Sequence, residues 1–294
     1  LARSCRTFLH SYSESGLPYV FLRMISDNFD PNDTVWKISA ESKHTEPLHN
    51  TVSQYHFDTF KLNTFLHKFA KEMGIKFIDT DIVDVQLDDQ GYVSALIDKD
   101  NQKHISDFYI DSSGFRRVIG SKLGIQWVSC QDELPMNSAI AFPTPGTHEI
   151  PSYTEANAMS SGWMWRIPTQ ERFGNGYVYC DSFINEQQAI DEAKEARPDM
   201  TDIARRIKFT PGYVNKFWVK NCVMIGLSSV FVEPLEASSI GTSIQQTFLL
   251  LPSIFSYSKD DNDKTANRYN QLMEAIATNV INFIQLHYFT ERKD

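Results

Sequence analysis

From Asp58 onward, apolar residues recur at helical spacing. Leu62, Phe65, Leu66, Phe69, Ala70 and Met73 fall on one stripe of a 3.6-residue period, which predicts a helix with that stripe buried. Gly74 supplies the stop, and Lys68 and Lys71 suit the negative end of the helix dipole. The period then changes. "IKFID" predicts a short strand, and "IVDVQLD" and "YVSALID" predict two more, joined by a turn at Asp88-Asp89-Gln90-Gly91. "HISDFYID" predicts a further strand ending in Asp111-Ser112-Ser113-Gly114. A helix, a three-stranded meander and a strand ending in D-S-S-G make one connected unit.

Residues 120–220 are mostly strand-like, with long loops: "MNSAIAFP", "SGWMWRIP", "GNGYVYCD" and "NKFWVK". One acidic helix, "NEQQAIDEAKEA", interrupts them. This predicts an antiparallel sheet carrying a binding surface. "NCVMIGLSS" reads as a buried strand. Beyond "VFVEPLEASS" a helix starts near Ile240, with Ile244, Phe248 and Leu251 on one face, and Pro252 bends or ends it. The last helix carries Tyr269, Leu272, Met273, Ile276, Ala277, Val280, Ile284 and His287 on one stripe. The fold class is therefore mixed α/β. The division expected is an irregular segment at 1–55, one lobe from 56–120 and 221–260, a β-sheet lobe at 121–220, and a long helix within 261–294.

The 294 residues suffice for one large domain or two modest ones. A net charge of −9 with no Lys/Arg block argues against nucleic-acid and anionic-membrane surfaces. No run of ~18 apolar residues predicts a membrane span. The N-terminal stretch lacks a basic-then-apolar signal pattern and does not begin with Met. The four cysteines, Cys5, Cys130, Cys180 and Cys222, stand far apart without a CxxC. They read as reduced core thiols of a cytoplasmic protein rather than zinc ligands or disulfides. No HExxH, GxSxG, Walker loop or GxGxxG occurs, and no metal site is predicted.

Two places carry candidate chemistry. Trp163 and Trp165 are two positions apart, so on a strand they share a face and Arg166 points to the other. Pro168 closes the strand by removing a ladder donor. Inter-sheet packing and a rigid aromatic wall are both consistent with that spacing. The second place is "EPLEASS", with Glu233, Glu236, Ser238 and Ser239. It reads as a solvated loop or, because it follows a buried strand and enters a helix N-terminus, as an anion site. His56 reads as a local hydrogen-bonding residue, His287 as a core histidine, Asp111 as a ribose contact or a turn cap, and Cys222 as an inert buried thiol.

The heptapeptide Gly162–Pro168, "GWMWRIP", fits G-W-x-W-x-I-P at every fixed position. With "YHFD", "IDSSGFR", "RFGNGYVY", "NCVMIGLSSVFVEPLEASSI" and "HYFT" in the same order, the chain resembles the flavin-dependent halogenases of the tryptophan halogenase type. The resemblance runs from about residue 50 to the end. It implies part of the two-lobed FAD-dependent monooxygenase-like fold, with a β-meander flavin lobe and an antiparallel substrate-side sheet. It implies halogenation of an electron-rich aromatic ring (tryptophan, indole or phenol type) through flavin hydroperoxide and hypohalous acid. FAD would arrive as FADH2 from a separate flavin reductase, with O2 and a halide ion as co-reactants, and a homodimer is compatible. Trp163 and Trp165, with Ile167 and Pro168, would wall the substrate from the flavin, and Glu236 would be the catalytic carboxylate. Ser238 and Ser239 would match the halide pair. Leu227 and Ile240 would contact the flavin, and Ile82 or Val83 its adenine side.

Three departures accompany this resemblance. Ala237 stands where the family has Ser, Ser239 stands where it has Gly, and neither the dinucleotide fingerprint nor a matching lysine is found. The resemblance is still running at Asp294, which implies a segment reduced at both ends. An aromatic hydroxylase of the same fold and a catalytically silent remnant are the alternative readings.

Overall fold

The computed structural model describes residues 56–289 apart from 149, 152, 256 and 259–261, so the segment 1–55 and the last residue of "HYFT", Thr290, lie outside the described residues. In chain order the elements are α1 (Thr59–Glu72), β1 (Ile82–Leu87), β2 (Val93–Asp98), β3 (Lys103–His104), β4 (Tyr109–Asp111), α2 (Val118–Lys122) and β5 (Trp127–Ser129). Then follow β6 (Ser138–Pro145), β7 (Glu155–Ala158), β8 (Gly162–Pro168), β9 (Arg172–Tyr179), α3 (Glu186–Ala196) and β10 (Arg205–Lys208). The chain continues as β11 (Gly212–Val214), β12 (Trp218–Val219), β13 (Cys222–Met224), β14 (Val230–Phe231), α4 (Ser238–Phe255) and α5 (Asn262–Tyr288). It divides into two compact units. One holds residues up to Gly74, Ser138–Ile207 and the last residues from Leu286, and the other holds Ile75–Asn137 and Lys208–Gln285. The borders differ from those read in the sequence: α1 belongs with the large sheet, and most of α5 with the meander.

The first unit is built on a five-stranded sheet in the order β10-β6-β9-β8-β7, with β6/β9, β9/β8 and β8/β7 antiparallel. Its core gathers Ile140, Phe142, Met164, Tyr177 and Tyr179 from the strands against Ala189, Ile190 and Ala193 of α3. α3 begins with a capping box, in which Asn185 accepts from the Gln188 N–H and the Gln188 side chain accepts from the Asn185 N–H. α1 begins where expected, because Asp58 accepts from the Phe60 and Lys61 N–H groups. Its apolar stripe is not buried, however: Phe65, Leu66, Phe69 and Met73 are all exposed. A 3.6 period reports a helix face and says nothing of what covers it.

The second unit carries the meander β1-β2-β3, the sheet β14-β11-β5 and the sheet β12-β13-β4, in which β13 and β4 run parallel. The hairpin at Asp88–Gly91 forms as predicted, with the Asp88 carboxylate accepting from the Gln90 and Tyr92 N–H groups. Two strand expectations change. "IKFID" has no regular structure, and β1 is left as the edge of its sheet. "HISDFYID" divides: His104 ends β3, the Tyr109 hydroxyl accepts from the Ser106 N–H, and β4 crosses to pair with β13. α5 buries Tyr269, Met273 and Ala277 in one core with Trp218, Val223 and Met224, Ile284 is buried too, and Leu272 of the predicted stripe is exposed. α4 runs three residues past Pro252 and then stops.

Candidate functional site

In the first unit, Trp163, Trp165 and Ile167 share one face of β8, opposite Val178, Gly176 and Gly174 of β9. The two indoles lie with centroids 6.0 Å apart and planes tilted by 54°. Trp163 is buried and Trp165 half-buried. Two glycines make this possible. A Cβ on Gly176 would sit inside the Trp165 ring, touching Cη2, Cζ2 and Cε2, so the indole lies flat on bare backbone. A Cβ on Gly162 would collide with the Val178 carbonyl and the Tyr179 Cα, which explains the first residue of the heptapeptide. Pro168 ends β8 beyond the reach of β7, whose pairing stops at Arg166, so its missing N–H faces no strand. Arg166 turns to the other face, as the period predicts, with its guanidinium 3.7 Å over the Phe173 ring.

In the second unit, β13 leads into a tight turn at Gly226–Ser228, where Gly226 has φ 64. Leu227 and Ile240 are exposed, as is Val83 on β1, while Ile82 is half-buried. Two buried side chains hold this turn, and sequence reading left one of them, Gln246, unassigned. Gln246, on α4, accepts from the Gly226 N–H at 2.9 Å and donates to Ser229 Oγ at 2.8 Å. Asp111, at the end of β4, accepts from Ser113, Ile119 and Gly120 N–H groups at 2.9 Å, from Ser113 Oγ at 2.6 Å and from Ser228 Oγ at 3.3 Å. It is a cap and a tie between two chain segments, the plainer of the two roles read for it. Gln246 is one of two adjacent glutamines on this helix, and spacing alone does not separate the buried one from a surface position.

"EPLEASS" forms the entry to α4. Glu236 (φ 61, ψ 12) and Ala237 (φ 48) are both left-handed, and the Ala237 N–H returns to the Pro234 carbonyl at 2.9 Å. Successive non-glycine residues in this region cost of order 1–3 kcal/mol each and cluster at functional sites. Ser238 and Ser239 open the 18-residue helix and are half-buried. Its first N–H groups carry the positive end of the dipole. Sequence reading put Glu236 in an apolar setting. The structure exposes it, and Glu233 is the buried carboxylate of the pair. The left-handed turn rotates Glu236 outward, which no apolar pattern encodes.

His56 is half-buried and hydrogen-bonds Thr154 Oγ1 at 3.0 Å, a partner far away in the sequence rather than a local one, and burial holds its pKa down. Cys222 is fully buried, and burial pushes its thiol far up, so it stays protonated and unreactive. His287 is half-buried rather than in the core. Among the described residues, no three His, Cys, Asp or Glu side chains are grouped to hold a metal ion, and no helix is long and apolar enough to cross a membrane.

The family model for tryptophan halogenase matches residues 30–294. The chain is 35% identical over 276 residues to the tryptophan 6-halogenase SttH of Streptomyces toxytricini, covering 87% of this chain and 52% of that protein. It is 34% identical to the tryptophan 7-halogenase RebH of Lentzea aerocolonigenes, over 82% of this chain and 46% of that one. The fold agrees with the solved structure of SttH at a TM-score of 0.77, over 81% of this chain and 48% of that one, at 34% identity. It agrees with Xcc4156, a flavin-dependent halogenase from Xanthomonas campestris, at 0.78 and 30% identity, over 88% and 53%. The chain spans about half the length of the curated relatives it matches.

Proposed function

This chain belongs to the tryptophan halogenase family, and from that premise we propose that the protein carrying it halogenates an electron-rich aromatic ring at the expense of FADH2. Tryptophan or a related indole or phenol is the substrate class. The observation that carries the reading is the indole pair of Trp163 and Trp165 laid on Gly176, a rigid apolar wall on one face of the sheet. Such a wall suits a site that must keep an organic ring away from an oxidant while a small species passes.

The described residues fit the ring side of a flavin: the Gly226–Ser228 turn presents bare backbone beside exposed Leu227, with Ile240 exposed on α4. The sequence holds no Gly-rich phosphate turn, so the fit is to that side alone. Bound reduced flavin with O2 supplies the oxidising power that converts a halide to an electrophile. Leu227 and Ile240 would contact it, with Ile82 or Val83 towards the adenine. The first turn of α4, at Ser238 and Ser239, would hold the halide by backbone N–H groups and the helix dipole. Ser239 adds a hydroxyl and side-chain volume there, which changes the size and polarity of the space open to the halide. Glu236 would accept the proton lost from the substituted ring, held in place by the strained turn it occupies. Nothing resembles a nicotinamide site, so a separate reductase delivers the flavin. Buried cysteines, all three described ones unbridged, suit a reducing cytoplasm.

The test compares two carboxylates in the protein of full length. Glu236→Gln should lower aromatic halogenation by ~10²–10⁴-fold, the usual worth of a general base, while peroxide release continues. Glu233→Gln, altering a buried group, should lower the melting temperature and leave halogenation per folded molecule within a few-fold. Equal effects on halogenation, or a hydroxylated product from the unaltered protein, would overturn the assignment.

A further inference from the structure

The face of the five-stranded sheet away from the tryptophan pair carries a second feature, which the reading above does not use. Met164 and Arg166 of β8 point to it, with their cross-strand neighbours Asn157 and Glu155 of β7. The end of α3 lies alongside. Together Glu155, Asn157, Met159, Met164, Ala196 and Arg197 line a cleft of about 320 Å³, at the lower end of the range for small-molecule sites.

The charges around it do not balance. Glu155 accepts from Arg166 Nη1 through one carboxylate oxygen at 3.3 Å and from Arg197 Nη2 through the other at 2.8 Å. One carboxylate thus serves two guanidiniums, and all three side chains are about three-quarters or more buried. The Nε of each arginine is buried without a hydrogen-bond partner. Glu192 of α3, also near this face, is taken by the Ser160 N–H and Oγ and by the Tyr177 hydroxyl. A half-buried cation with spare donors is costly unless an anion completes it. Among the remaining lining residues, Met159, Met164 and Ala196 are apolar.

We propose that this cleft binds a small organic carboxylate with an apolar body. The ligand's carboxylate would pair with the guanidinium of Arg197 where it lines the cleft, beside Arg166. Its body would lie on Met159, whose flexible thioether accepts varied shapes. Asn157 adds a neutral donor and acceptor at the rim. The site is separate from the Trp163/Trp165 wall, because residues 164 and 166 alternate with 163 and 165 across the strand.

The probe is benzoate, followed by ligand-observed NMR titration of the purified protein, with benzyl alcohol and sulfate at matched ionic strength as comparisons. Benzoate should bind, and both comparison ligands should bind at least tenfold more weakly. Arg197→Met leaves the Arg166–Glu155 pair in place and should weaken benzoate by roughly tenfold or more, the worth of one charged hydrogen-bonded pair. Arg197→Lys keeps the charge without the fork and should fall between. It carries the test should the Met variant fail to fold. Glu155→Gln removes the internal competitor and should tighten benzoate. The proposal is overturned if benzoate does not bind at millimolar concentration, if sulfate binds as well as benzoate, or if both Arg197 variants bind like the unaltered protein. Weaker benzoate binding by a folded Glu155→Gln protein would likewise show that the three charges form only an internal ion network.

Discussion

Replacing Gly176 by alanine tests whether the Trp165 indole rests on bare strand backbone. The added methyl would fall inside contact distance of three ring carbons, Cη2, Cζ2 and Cε2. Both strands are fixed by their ladder at this point, where Trp165 is paired with Gly176. The indole must therefore lift from the sheet, and because Trp163 lies only 6.0 Å away, the pair must re-pack. Overpacking of this kind costs about 1–3 kcal/mol. At about 2–4 °C per kcal/mol for a domain of this size, a central value of ~2 kcal/mol lowers the melting temperature by about 4–8 °C. Gly174 is the matched control: it faces Ile167 on the same side of the same strand, and its added Cβ would meet nothing closer than Arg172 Nη1 at 3.7 Å. Gly174→Ala should be neutral or stabilise by about 0.4–1 kcal/mol through the unfolded chain. The assay is thermal unfolding together with the near-ultraviolet circular dichroism of the coupled indoles. Equal melting temperatures for the two variants, or an unchanged tryptophan signal in Gly176→Ala, would refute the flat-lying geometry.

Replacing Trp163 and Trp165 together by small residues in the full-length protein should leave flavin oxidation intact and divert turnover to hydroxylated product or free peroxide. Product analysis showing an unchanged halogenated yield would remove the wall from the mechanism. Asp98 is buried, and the His104 hydrogen bond at 2.9 Å, helped by the Gln102 and Asp100 N–H groups, holds its carboxyl below its ordinary value of 3.8. A lowered folded pKa gives stability that is complete above the unfolded value and is lost as pH falls through the folded one. The acid side of the stability curve, followed by urea unfolding below pH 4, should therefore flatten in Asp98→Asn. Gln246→Leu should loosen the Gly226 turn, leaving its N–H unpaired, and amide exchange at Gly226 should quicken while exchange in β9 stays unchanged.

Long periodic segments and chemically marked ends were legible in the sequence. α1 and α5 follow from apolar spacing, α3 from the acidic run "NEQQAIDEAKEA", and the β1/β2 hairpin from its Asp-rich turn and Gly91. The heptapeptide at 162–168 announced both the family and the shared face of its two tryptophans. What was not legible depends on partners distant in the chain. "IKFID" has strand-forming residues but takes no regular structure, and the stripe on α1 has the right period but no cover among the described residues. Glu233 and Glu236 look alike in the sequence, and only a pair of left-handed residues decides which is buried. Asp111 and Gln246 act through segments far apart in the chain, so neither spacing nor composition could show their roles. Arg166 could be assigned its face, but its shared carboxylate with Arg197 could not be foreseen.

The hydrogen bond from the Phe209 N–H to the Asn137 carbonyl, at 2.9 Å, closes the second unit across the stretch Ser138–Ile207. The parallel pair β4/β13 depends on that closure, since Tyr109 meets Cys222. Closing a loop this long in a disordered chain costs roughly 4 kcal/mol of entropy by the logarithmic law. If the inserted stretch forms its antiparallel strands first, its two ends arrive already close together, and much of that cost is met before the second unit begins to assemble. The order of events is then set by topology: local pairings at β8/β9 lead, and the distant parallel pairing follows. On that order, lengthening the turn at Thr169–Glu171 should slow the appearance of the β4/β13 pairing more than it weakens it.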